Sequence, residues 1–143
     1  GAVLCLSATT GKQVWRRDLP DGVLTAVVAG RKALFAACRD GRVYALSPGS
    51  GEILWSAACG GGAVVSSPLL DPAEKSLVVA SAGGVLQGLS PASGRRLWDL
   101  SIGKLEDEEE DLQLYSSPSA AGGRLVLGTM SGSLLGFSFP GED

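Results

Sequence analysis

The chain alternates short apolar runs with clusters of glycine, serine and proline along its whole length. ALFAAC from Ala33, SLVVAS from Ser76 and RLVLG from Arg124 are too short for helices and rich in residues that suit a pleated surface. Each predicts a β-strand ending in a small-residue turn. The Val-rich stretch 23–29 is strand-sized too, and Asp40-Gly41 reads as a type I′ hairpin turn.

These runs recur in a fixed order. GAVLCLSATTGKQVW from Gly1, GRVYALSPGSGEILW from Gly41 and GVLQGLSPASGRRLW from Gly84 align without a gap, and GSLLGFSFPG from Gly132 begins a fourth copy. The starts are 40, 43 and 48 residues apart. The fifth column is always small (Cys5, Ala45, Gly88, Gly136), as if a ring or a backbone pressed on it. The sixth is large and apolar (Leu6, Leu46, Leu89, Phe137), and the seventh is serine throughout. Gly11, Gly51 and Gly94 then mark a turn, after Thr10, Ser50 and Ser93, and Trp15, Trp55 and Trp98 follow on a second strand.

Between the copies, GAVVSSPLL from Gly62 matches LQLYSSPSA from Leu112 on Ser-Ser-Pro, and GVLTAVVA from Gly22 more loosely. One period therefore holds four strands: Ser-Ser-Pro, Val-rich, Gly-initiated, Trp-bearing. Four strands in a period of this length is the arithmetic of a β-propeller blade. The expected fold is all-β, a partial β-propeller of four-stranded antiparallel blades, about three blades of a longer array. A half blade covers 1–21, full blades 22–61 and 62–103, and a three-strand blade with an acidic loop insertion 104–143.

The copies resemble the PQQ repeat of quinoprotein-type propellers, Ala-x-Asp-x-x-Thr-Gly-x-x-x-Trp. Ala45, Ser50 (for Thr), Gly51 and Trp55 match it in one copy. Thr10, Gly11 and Trp15 match in another, and Ser93, Gly94 and Trp98 in a third. The Asp column is departed from, with Ser7, Ser47 and Ser90. The resemblance implies that the tryptophans dock each blade on its neighbour. The Ser-Ser-Pro blade at the end is also similar to the C-terminal repeat domain of the beta-alanine-activating enzymes, which are adenylate-forming and acyl-CoA-synthetase-like. That likeness implies that ATP and pantetheine chemistry belong to other domains of such a parent.

Composition narrows the chemistry. Among 143 residues there are 21 glycines, no histidine and no asparagine. The commonest general base and metal ligand is thus absent. Catalytic quinoproteins of this resemblance hold PQQ and calcium through an asparagine and acidic ligands, commonly beneath a pair of adjacent cysteines, whereas here the cysteines stand at 5, 38 and 59. They occupy columns of small or apolar residues and lack metal-ligand spacing, so they read as buried hydrophobes. The acidic run Glu106–Asp111 is an inserted loop, read as solvated rather than as a calcium or basic-partner site. Gly11-Lys12 and Gly60–Gly62 fail as phosphate loops, the latter standing between two strands.

No catalytic, cofactor-binding or metal residue is assigned, and no cofactor is expected. The net charge of −3 with scattered Lys and Arg argues against nucleic acid, and no apolar run is long enough for a membrane span. An odd cysteine count points to the reducing cytoplasm. The expected role is a non-catalytic scaffold or protein-interaction module inside a larger multidomain protein. Its partners are the remaining blades of its ring and a protein bound on the blade-connecting loops. A quinoprotein dehydrogenase fragment and a periplasmic outer-membrane assembly scaffold stand as alternatives.

Overall fold

The computed structural model describes residues 1–102 and 113–139, so the acidic run lies outside the described residues. Thirteen strands form four antiparallel sheets among them. The first sheet pairs β1 (Ala2–Leu6) with β2 (Gln13–Asp18). The second runs in order through β3 (Val28–Ala29), β4 (Leu34–Ala37), β5 (Arg42–Leu46) and β6 (Ile53–Ala58). The third repeats that meander with β7 (Leu69–Leu70), β8 (Leu77–Ala80), β9 (Val85–Leu89) and β10 (Arg96–Ser101). The last holds β11 (Ser119–Ala121), β12 (Arg124–Gly128) and β13 (Leu134–Ser138). This is a partial β-propeller.

Sheets stack face to face because both faces of each inner strand are apolar. Ala36, Cys38, Tyr44 and Leu46 of the second sheet meet Val3, Trp15 and Leu19 of the first. On the opposite face, Phe35, Ala37, Val43 and Cys59 meet Val64, Leu77, Val79 and Leu89 of the third. The third sheet's far face, with Val78, Ala80, Leu86 and Ile102, meets Leu114, Leu125 and Leu127. The period-2 alternation of side chains sends neighbouring residues to different seams. β8 is accordingly buried along its whole length.

The first strand of each unit is shorter than the pattern predicts. Only Val28–Ala29 of the stretch 23–29 is strand, and β7 and β11 begin just after Pro68 and Pro118. Pro68 and Pro118 have no N–H for a ladder bond. The serines ahead of them turn to other partners.

The turn at Asp40-Gly41 also departs from the sequence expectation. Gly41 alone has positive φ (82°), whereas a type I′ turn needs it at both central residues. Gly41 N–H donates to Cys38 O (3.2 Å) and Cys38 N–H to Arg42 O (2.9 Å). The result is a type I turn followed by a glycine bulge. Gly84 repeats it with Ser81 and Val85, and Gly132 with Thr129 and Ser133.

Candidate functional site

Two seams are sealed by the repeat tryptophans. Trp15 Nε1 donates to Pro48 O at 2.9 Å, and Trp55 Nε1 to Pro91 O at 3.1 Å. In both cases the acceptor belongs to the next sheet, in the turn that links its third and fourth strands. Each ring covers the glycine of that turn, Gly51 or Gly94, both with φ of +70°. The turn is held from within by Ser47 O and Ser90 O, which accept from the Gly51 and Gly94 N–H groups. The hydroxyls of Thr10, Ser50 and Ser93 accept the N–H two residues on. The serine that replaces the repeat's usual aspartate bonds by side chain in the first copy, where Ser7 Oγ accepts Thr10 N–H.

The small fifth column has the cause the pattern suggested. Cys5, Ala45 and Gly88 lie opposite Trp15, Trp55 and Trp98 across the third and fourth strands. At Gly88 a Cβ would collide with the Trp98 indole.

A second link between sheets runs through the serines before the prolines. Ala26 N–H donates to Ser67 Oγ (3.1 Å), and Ser67 N–H in turn to Ser117 Oγ (2.9 Å). Ser66 and Ser116, one position earlier, point back into their own sheets, donating to Ala80 O (2.8 Å) and Gly128 O (2.7 Å). Sequence comparison exposed the Ser-Ser-Pro pairs but not this division of labour, which depends on how one sheet is rotated against the next.

The ionisable side chains in the seams are held neutral. Tyr44 Oη donates to Asp40 Oδ2 at 2.6 Å, and burial, reinforced by that bond and the carboxylate's charge, pushes the phenol up to about 12. Burial lifts the Cys59 thiol to about 11, partly opposed by Arg42, and burial also raises Cys38, whose Sγ bonds Asp21 O. Cys38 and Cys59 face different seams. Among the described residues no group of three or more His, Cys, Asp or Glu gathers for a metal.

The open surface has its own periodicity. Leu24, Val65 and Tyr115 each stand one residue ahead of the Thr25-Ala26, Ser66-Ser67 and Ser116-Ser117 pairs. Leu24 is 66% and Tyr115 48% exposed. Met130 (68% exposed) lies beside the segment that carries Tyr115, its N–H donating to Gln113 O; Arg39, its counterpart two sheets back, donates to Gly22 O beside the Leu24 segment. The four apolar side chains share one rim, where loops between sheets meet the turns between second and third strands.

A family model described as outer membrane protein assembly factor BamB, the PQQ_2 repeat, matches residues 1–140. Among solved structures, BamB from Moraxella catarrhalis superposes with a TM-score of 0.81 at 23% identity, over 96% of this chain and 44% of that one. A computationally designed protein, Ika4, gives 0.76 at 17% identity, over 96% and 79%. The quinohemoprotein alcohol dehydrogenase of Comamonas testosteroni gives 0.65 at 18% identity, over 76% and 17%. At these identities the likeness is one of fold, and the chain spans less than half of the Moraxella protein. No curated protein matches the chain. No helix among the described residues is long and apolar enough to cross a membrane.

Proposed function

Because the chain belongs to the PQQ-repeat family described as outer membrane protein assembly factor BamB, we propose that it is a propeller segment that binds a protein through its loop rim and performs no chemistry. The observation that carries this is the rim of Leu24, Val65, Tyr115 and Met130, apolar in successive units, with Leu24, Tyr115 and Met130 exposed and Val65 half-buried, while the seams' indoles and hydroxyls are engaged in docking. Aromatic and methionine side chains clustered on a surface are what protein interfaces favour. The test compares the full-length protein with a Leu24→Asp/Tyr115→Asp/Met130→Asp variant by cross-linking and mass spectrometry. Loss of one defined partner at unchanged melting temperature supports the reading. Retention of the same cross-links sinks it.

The finer reading places the segment in a cytoplasmic, adenylate-forming protein of the beta-alanine-activating type. It is supported by the resemblance of the Ser-Ser-Pro blade and by thiols kept protonated in separate seams, as suits a reducing compartment. The family's description favours instead a scaffold of outer-membrane assembly. Mass spectrometry of the full-length natural protein separates the two: an adenylation domain supports the first, and a lipidated leader overturns it.

A further inference from the structure

Three strands that end their sheets, β2, β6 and β10, are built alike and differ in one column. Each skips a residue of its ladder just before the tryptophan, Val14, Leu54 or Leu97, which forms a bulge. Each pairs on one side only among the described residues. The residue after the tryptophan is Arg16 in β2, Ser56 in β6 and Asp99 in β10. Arg16 and Asp99 stand out in solvent, tied to Asp18 and Arg96 of their own strands. β6, Ile-Leu-Trp-Ser-Ala-Ala, carries no charge, although Ile53, Leu54, Ser56 and Ala58 are exposed. Charged side chains ordinarily keep an open strand edge from pairing with another chain. In β6 that guard is missing, and its sheet is packed on both faces by neighbouring sheets.

We propose that β6 is a self-association edge, which pairs antiparallel with β6 of a second copy of the protein about a twofold axis at Ser56. An edge that meets its own copy must set outward-facing amides against outward-facing amides, so the axis passes through a residue and not between two. At Trp55 the axis would oppose two indoles, and at Ala57 it would match only Ser56–Ala58. At Ser56 it matches Leu54–Ala58 and sets large against small, Trp55 facing Ala57 and Leu54 facing Ala58. The two Ser56 hydroxyls then meet at the centre. Each accepts Arg42 Nη2 of its own sheet at 2.8 Å, which leaves its proton for a bond across the axis. The same register in β2 or β10 would press Arg16 on Arg16 or Asp99 on Asp99, and like charges directly opposite repel. Of the three strands, β6 is thus the one that fits itself. Two such short strands bury less than the roughly 1,000 Å² of a stable interface, so the pair is weak and reversible. The edge shares no residue with the loop rim, and either proposal can fail alone.

Sedimentation of the full-length protein over a concentration series tests this. A reversible monomer–dimer equilibrium is expected. Ser56→Arg, the residue that β2 carries at this column, should raise the dissociation constant about tenfold or more by like-charge repulsion, with circular dichroism unchanged. An equimolar mixture of the Ser56→Arg and Ser56→Asp proteins should restore the dimer, which also shows that both variants are folded. A protein monomeric at every concentration overturns the proposal and leaves β6 to an extended segment of another protein. A dimer that Ser56→Arg leaves intact, or a mixture that stays monomeric, overturns it as well.

Discussion

Trp15 sits so close over Gly51 that a Cβ at position 51 would stand 2.5 Å from its Cε3 atom, and Trp55 covers Gly94 at the same 2.5 Å. A glycine here answers two demands at once, left-handed backbone and a ring overhead. Gly11 meets only the first, with φ of 69° and nothing within 4 Å. Gly11→Ala should therefore cost about 1–2 kcal/mol, the price of the left-handed region for an L-residue. Gly51→Ala should lose a further 1–3 kcal/mol or so for overpacking. Urea unfolding of the two variants measures the difference, and equal losses would mean that the ring moves aside freely.

The tryptophans divide their contribution between packing and one hydrogen bond. Trp55→Ala should cost about 3–5 kcal/mol. Trp55→Phe keeps part of the ring contact with Phe35 (centroids 5.8 Å apart) and loses the bond to Pro91 O, so about 1–3 kcal/mol is expected. Thermal or urea unfolding orders the two variants.

Alkali should loosen the fold in a defined window. Folding favours the neutral phenol of Tyr44 and the neutral thiol of Cys59, so their stabilisation is complete below the ordinary values of 10.0 and 9.0. It drains away as pH rises towards about 12 and about 11 respectively. Absorbance at 295 nm in a Tyr115→Phe background isolates Tyr44, and its midpoint should lie near 12. Asp40→Asn should lower that midpoint, because the carboxylate that holds the hydroxyl proton loses its charge.

Thiol labelling should follow burial. Cys5 is half-buried on the first sheet, whereas Cys38 and Cys59 are buried. A disulfide exchange reagent at neutral pH should modify Cys5 first and reach the other two only on unfolding, since the thiolate is the reacting form. Three fast-reacting thiols in the native chain would contradict the seams described above.

How much was legible without coordinates depends on the range of the interaction. Glycine at 51 and 94 and tryptophan at 15, 55 and 98 could be read because each recurs at a fixed offset within its own unit. The small fifth column could even be assigned its cause. Asp40-Gly41 was misread because the dipeptide fixes the glycine but not the sign of φ at Asp40. The Ala26–Ser67–Ser117 chain was invisible because it joins residues 41 and 50 positions apart, at a distance set by the rotation between sheets. The second serine of each Ser-Ser-Pro, absent at Ala26, was the one available clue.

The indole and serine bonds across the seams have a direction. Indole protons, and the amide protons that meet serine hydroxyls, reach oxygens on the next sheet along the chain: Trp15 to Pro48, Trp55 to Pro91, Ala26 to Ser67, Ser67 to Ser117. Two loop amides, Val64 and Leu114, reach back to Cys38 O and Ala82 O. The two sides of a sheet thus carry different groups, indoles on one and the turn carbonyls that receive them on the other, and neither side is complementary to a copy of itself. Contacts of that polarity do not terminate in a twofold pair; they either bend round into a cycle or lengthen into a filament. Curvature, rather than affinity, decides where such an assembly stops.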